Sequence, residues 1–224
     1  MAVTKKDMIA RGLRERIANG ELKRGTRVLQ DELAEEYSTS ITPVREALRQ
    51  LQAEGLLVGT AHRGVRVAEV DLERVKGTYM LRRLVEPYAM QRATMRMTPA
   101  DLMAAEGILD EMEEADPAAD GLRISELNRR FHFLFYERSG PESFVDGIAD
   151  LWADFPWDLL RVASERVPQS IVEHREMLAA VRAADLDRVA EVTSRHVHNG
   201  YVSLLAHLTD GAQPPDDPFE LLTD

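Results

Sequence analysis

Thr42-Pro43-Val44-Arg45-Glu46-Ala47-Leu48-Arg49-Gln50-Leu51, closing on Glu54-Gly55-Leu56-Leu57, is the stretch on which the reading of this chain turns. Its spacing predicts a short helix with Val44, Ala47, Leu48 and Leu51 on the inner face and Arg45 and Arg49 one turn apart on the outer face. Thr42 is expected to cap this helix. Pro43 suits its first turn, where an N–H has no intrahelical partner to lose. Two cations at this spacing repel each other by roughly a few tenths of a kcal/mol. A solvated face tolerates that cost, whereas a helix that meets a polyanion makes use of both charges.

The surroundings favour the second reading. Upstream, Ile9, Leu13 and Ile17 recur at helical spacing and Asn19-Gly20 supplies a stop. A second short helix is predicted from Gln30 to Tyr37, followed by the polar turn Ser38-Thr39-Ser40. Helix, short helix, tight turn and a helix with two outward arginines is the pattern of a helix-turn-helix, whose last helix enters the major groove. Downstream, Leu56-Leu57-Val58 and Val65-Arg66-Val67 read as two short strands joined through Gly59-Thr60-Ala61-His62-Arg63-Gly64. A basic hairpin there would form a wing, with Arg63 and Arg66 as candidate phosphate or minor-groove contacts and His62 incidental.

The run Gly20-Glu21-Leu22, Gly25-Thr26-Arg27-Val28-Leu29, Leu33-Ala34-Glu35-Glu36, Thr42-Pro43-Val44-Arg45-Glu46-Ala47-Leu48, Glu54-Gly55-Leu56 and Arg63-Gly64-Val65-Arg66-Val67 resembles the winged helix-turn-helix of the GntR family of bacterial transcriptional regulators. The resemblance covers the first third of the chain. It implies double-stranded operator DNA as partner, with Ser40, Thr42, Arg45, Arg49, Arg63, Gly64 and Arg66 at the DNA. The chain departs from the family in one place, having Thr39-Ser40-Ile41 where Val-Ser-Arg is usual. A common DNA-contacting arginine is thus replaced by Ile41, which can touch a thymine methyl or pack inward.

Composition taken whole argues against DNA, because the 224 residues carry a formal net charge of −11. Dividing the chain removes the conflict. Residues 1–70 hold 12 Lys/Arg against 10 Asp/Glu, whereas the remainder holds 16 against 29. The acidic excess therefore belongs to a second domain that need not approach phosphate. The chain has no cysteine, which excludes disulfides and thiolate metal sites. No apolar run is long enough to span a membrane and no signal-peptide core is visible, so a cytoplasmic protein is expected.

Beyond Val67 the pattern is helical. Helices are expected from Asp71 to about Met97 with a kink at Pro87, from Thr98-Pro99 to before Ala115, and from Leu122 to Arg138. A fourth should run from near Pro141 to a break at Pro156, with two more over 169–184 and 186–208. Short connections between six helices predict an antiparallel bundle, so the fold class is mainly α. Expected boundaries are residues 1–70 for the DNA-binding domain, 71–210 for the bundle and 211–224 for an acidic, proline-rich disordered tail.

Polar residues interrupt stripes of this bundle that should be apolar. His174 falls on the stripe of Ile171, Leu178 and Val181, His196 on that of Val189 and Val192, and Asn128 and His132 lie one turn apart beside Phe131 and Phe135. Buried polar groups must find partners, so these four should converge on one another, on water or on a ligand. Inward imidazoles from facing helices build metal sites, and they also occur as hydrogen-bonded core residues.

Asn128-x3-His132, His174 and His196, with Arg82-x3-Glu86, resemble the FCD effector domain of the FadR subfamily, whose usual motif is Asp-x3-His followed by two histidines. A count of six helices favours its VanR-like branch. The resemblance implies a divalent ion held by Asn128, His132, His174 and His196, zinc or nickel first, with manganese or iron as alternatives. Asn128 stands where the family has Asp, so the ion's charge is left for an anionic effector such as a small carboxylate. Arg82 is the candidate clamp on that anion, or else a surface partner of Glu86. Together these readings describe a homodimeric repressor that senses a small organic acid. The alternatives are a metal-dependent hydrolase or lyase, and a metal-stabilised dimerisation module without effector. Against an enzyme stands the lack of a general base beside the histidines, because Glu173 is expected to point away from the stripe of His174. His198 and His207 are expected to be incidental.

Overall fold

The computed structural model of the protein describes residues 4–18, 21–53, 55–60, 64–117, 120–154, 166–208 and 217–219. It divides into two compact units, Met1–Asp71 and Leu72–Asp224.

The first unit is built from helices α1 (Lys5–Ala18), α2 (Gln30–Glu36) and α3 (Ile41–Ala53) and strands β1 (Arg27–Val28), β2 (Leu57–Thr60) and β3 (Gly64–Val67). The strands form an antiparallel sheet in the order β1-β3-β2, with Arg27 opposite Arg66 and Leu57 opposite Val67. Ile9, Leu13 and Ile17 of α1 meet Val44, Leu48 and Leu51 of α3 and Leu57, Val65 and Val67 of the sheet in one core. The inner face expected of α3 is thus the buried one. The helix begins at Ile41, two residues before Pro43, so Thr42 lies in its first turn and is not the cap. Strand β1 is too short to leave an alternation pattern in the sequence; it is held where Gly25 N–H reaches Val67 O and Val67 N–H reaches Thr26 O. After α3, Gly55 takes φ 75° and lets the Leu56 N–H close back on Leu51 O.

The second unit contains, among the described residues, helices α4 (Leu72–Thr94), α5 (Pro99–Glu114), α6 (Gly121–Ser139), α7 (Glu142–Asp154), α8 (Val167–Arg182) and α9 (Leu186–Leu208). Their apolar faces enclose a single core that includes Met90, Leu109, Phe131, Phe135, Ile148, Met177 and Val192. Pro87 lies inside α4; the break expected at Pro156 falls outside the described residues. Two joints position the central helix α6. At its end, Ser139 O accepts from Arg92 of α4 and from Arg96 in the turn that follows α4, cations well placed at a helix C-terminus. At the start of α5, Thr98 and Asp101 form a reciprocal capping box, and the same Asp101 carboxylate accepts from Arg138 of α6.

Three residues of the tail depart from expectation. Asp217 accepts from Tyr79 Oη at 2.8 Å and Arg83 Nη1 at 2.6 Å, with His198 Nδ1 at 3.3 Å, and Phe219 lies under the Arg83 guanidinium. Residues 217–219 are therefore docked on α4 and α9, and His198 belongs to that contact. Composition reads the tail as disordered because the docking of these three residues depends on Tyr79 and Arg83, more than a hundred residues away.

Arg138 first and Thr98 second hold the Asp101 carboxyl well below the usual carboxylate range. The stability it contributes is present above the ordinary carboxylate pKa and lost as pH falls towards its depressed value. Thr98→Ala should destabilise the protein by about 1 kcal/mol in urea unfolding. Asp101→Asn should be less stable than wild type at pH 7, with the gap narrowing below about pH 4.

Candidate functional site

The outer face of α3 is available for contact. Ser40, Thr42, Arg45 and Arg49 are exposed, and Arg45 Nε donates to Gln30 of α2 at 3.1 Å, so its guanidinium is steadied without being buried. Arg66 sits within β3 and gives its Nη1 to Gly25 O at 2.9 Å, which leaves it less free for DNA than a residue at the tip of a wing. Gly64 opens β3 opposite Thr60, while Arg63 and His62 lie outside the described residues.

In the second unit the three stripe histidines meet. His132 of α6, His174 of α8 and His196 of α9 are all buried, and one nitrogen from each lies within 4.8 Å of the others. His132 Nε2 and His174 Nε2 stand 3.0 Å apart. Outer partners fix two of the three rings. Tyr136 Oη donates to Glu86 at 2.7 Å and so accepts from His132 Nδ1 at 3.2 Å, turning the His132 Nε2 lone pair inward. Glu173 Oε2 accepts from His196 Nδ1 at 2.7 Å and does the same for His196. Nδ1 of His174 is buried without a hydrogen-bond partner.

Electrostatics keep these rings neutral. Burial pushes the His132 pKa well below its ordinary value, helped by His196 and Arg82, and pushes down His174, helped by His196, His132 and Arg166. Burial also lowers His196, with Glu173 opposing. Neutral imidazole is the ligating form, and two nitrogens bound to one tetrahedral ion stand roughly 3.3 Å apart, close to the spacing of His132 and His174. The donor set and its carboxylate and tyrosine supports fit a divalent ion. Asn128 lies half-buried one turn before His132.

Two expectations are corrected here. Glu173 does not point away: it is 1% exposed and belongs to the cluster. Its Oε2 also accepts from Arg166, and its Oε1 from Asn199 at 2.7 Å and Gln169 at 3.4 Å. Burial opposes its charge, yet the bonds from His196, Arg166 and Asn199 hold its pKa down to about 2. Both oxygens are committed, so it is a poor general base. Helical spacing misled because the His174 stripe lies between α5, α6 and α9, and the neighbouring row also faces inward.

The second correction concerns Arg82 and Glu86, which are buried at 4% and 0% exposure and do not form a surface pair. Glu86 Oε1 accepts from Arg82 Nε at 2.5 Å and from Trp152 Nε1 at 2.9 Å, and Arg82 stacks 5.1 Å from the Trp152 ring. Arg82 therefore stands beside His132 with Glu86 already on it. Arg166 was missed because nothing in its local sequence marks it. Its side chain is 9% exposed, and its Nε and Nη1 are buried without acceptors. Such orphaned donors cost about 1–3 kcal/mol each, more where the group is charged.

Glu86→Ala should destabilise the protein by about 3–5 kcal/mol in urea unfolding, because it leaves Arg82 uncompensated and removes the acceptor of Tyr136 and Trp152. Tyr136→Phe should cost less, about 1–3 kcal/mol.

Among the described residues no helix is long and apolar enough to cross a membrane. Residues 5–67 match the bacterial regulatory proteins of the gntR family and residues 78–199 match the FCD domain. The HTH-type transcriptional regulator McbR of Escherichia coli (strain K12) is 30% identical over 177 residues, 77% of this chain and 80% of its own. The galactonate operon transcriptional repressor of the same organism is 26% identical over 215 residues, 84% of this chain and 91% of its own. A solved structure of E. coli McbR/YncC matches with a TM-score of 0.64 at 26% identity, covering 92% of this chain and 100% of that one. These relatives are regulators, which sets aside the enzyme considered from the sequence. With its helix-turn-helix and its histidine-bearing bundle each matched, the chain belongs to the GntR family of regulators with an FCD domain, and it is a ligand-responsive DNA-binding transcriptional regulator and not an enzyme.

Proposed function

We propose that the protein is a cytoplasmic, homodimeric repressor that leaves its operator when a small carboxylate binds at a metal ion held by His132, His174 and His196. The observation that carries this reading is the convergence of three buried, neutral imidazoles, two of them fixed by outer partners with a lone pair turned inward. Zinc or nickel suits an all-imidazole set best, with manganese or iron as alternatives. Asn128 is the proposed fourth protein ligand. An amide brings no charge, so the ion would draw an anion to its open positions. Arg82 is a second attraction for that anion, reached by sharing or displacing its hold on Glu86.

On the DNA side, Ser40, Thr42, Arg45 and Arg49 would face the major groove, and Arg63, Gly64 and Arg66 would follow the backbone beside it. A second copy of the chain is supported by an apolar row on α4, where Leu81, Leu84 and Tyr88 are 50%, 60% and 52% exposed at one-turn intervals. Effector binding must favour the DNA-incompetent arrangement by about 1–3 kcal/mol for a typical coupling.

Three measurements test this. Arg49→Ala should weaken operator binding by about 1–3 kcal/mol with an unchanged melting temperature; unchanged affinity would remove α3 from the DNA. Purified protein should carry about one divalent ion per chain, lost in His174→Ala. A thermal-shift screen of small carboxylates and sugar acids on metal-loaded protein, followed by DNA-binding assays, should find an acid that lowers operator affinity. DNA affinity indifferent to every acid would leave the histidines as a dimerisation support.

A further inference from the structure

A guanidinium at the edge of the histidine cluster has no role in holding the fold that would account for all of its donors. Arg166, at the entry to α8, is more than nine-tenths buried. Its Nη2 donates to Glu173 Oε2, the same oxygen that accepts from His196 Nδ1, so Arg166 stands one carboxylate oxygen away from a candidate metal ligand. The other oxygen of Glu173 is taken by Asn199 and Gln169. Glu173 thus has nothing left for Nε and Nη1 of Arg166, and neither of these buried donors has an acceptor. A planar guanidinium with open N–H groups is the side chain best suited to receive a carboxylate.

The charges around the cluster point the same way. Arg82 is matched by Glu86 and Arg166 by Glu173, and an imidazole supplies no anionic ligand, so no carboxylate is left over to offset a bound cation. A divalent ion would bring two positive charges that no protein ligand offsets. One carboxylate would offset half of that excess, whereas a ligand with two would offset all of it and give Arg166 an acceptor.

We propose that Arg166 anchors a second anionic group of the effector, so that the sensor takes a small dicarboxylate in preference to a monocarboxylate. This rests on the reading of the cluster as an effector site. One carboxylate would meet the ion, and the other would accept from an open N–H of Arg166. Arg82, whose Nε and Nη2 are engaged by Glu86, is the lesser attraction.

The test is calorimetric titration of full-length, metal-loaded protein with acetate, malonate and succinate, comparing wild type with Arg166→Gln and Arg166→Lys. Wild type should bind one of the dicarboxylates at least ~10-fold more tightly than acetate. Arg166→Gln should bring the ratio of dicarboxylate to acetate affinity down towards one, and Arg166→Lys should restore part of it as a point charge. A dicarboxylate preference that survives in Arg166→Gln would overturn the proposal. So would loss of bound metal and acetate affinity together in that variant, which would make Arg166 a brace for Glu173. Wild type that binds acetate as tightly as both dicarboxylates would overturn the assignment of Arg166 and leave the effector site standing. Wild type that binds none of the three would overturn both.

Discussion

A carboxylate with no exposed surface, Glu86, ties together three helices of the sensor unit. Arg82 shares its helix α4, Tyr136 comes from α6 and Trp152 from α7, and all three donate to its two oxygens. A buried charge is tolerable only when fully engaged, so the packing of α4 against α6 and α7 is constrained to keep those donors in reach. The Tyr136 hydroxyl then hands the constraint on, since a hydroxyl that gives its proton to Glu86 can only accept from His132. The orientation of one imidazole is in this way decided by a carboxylate on another helix. Glu173 repeats the device on the other side, with Arg166 and Asn199 holding the carboxylate that orients His196.

The two units divide the electrostatic work. A nearly balanced N-terminal unit carries Arg45 and Arg49 on an exposed face, while the acidic surplus stays with the bundle, where pairs such as Arg175 with Asp110 and Glu113 mark an ordinary solvated surface. Exposed pairs of this kind contribute little to stability. The buried pairs are different, because removing one partner leaves an isolated charge in a dry core. Charge in this protein is therefore concentrated in two places where it has consequences, the outer face of α3 and the walls of the histidine cluster.

Features governed by local periodicity were legible in the sequence. The inner face of α3, the Thr98-Pro99 helix start and the stripes carrying His132, His174 and His196 needed only residue type and spacing. What was not legible depended on three-dimensional neighbours. An Arg and a Glu four apart read as a solvated pair on any helix, and only the packing of α4 under Trp152 and Tyr136 buries them. Glu173 lies beside His174 in sequence, and spacing cannot reveal that α9 comes close enough to meet both rows. Arg166 precedes its helix in a stretch without periodicity, and the docking of Asp217 joins residues far apart in the chain.

Trp152 has a consequence of another kind. Its indole lies 5.0 Å from the His132 ring and donates to Glu86, so its surroundings are those of the sensor itself. The chain has two tryptophans, and this one is buried at 2% exposure. Indole emission responds to nearby charge and to protonation or ligation of a neighbouring imidazole. The regulator thus contains a native fluorophore at its candidate switch, and occupancy of the cluster can be followed optically in the unlabelled protein.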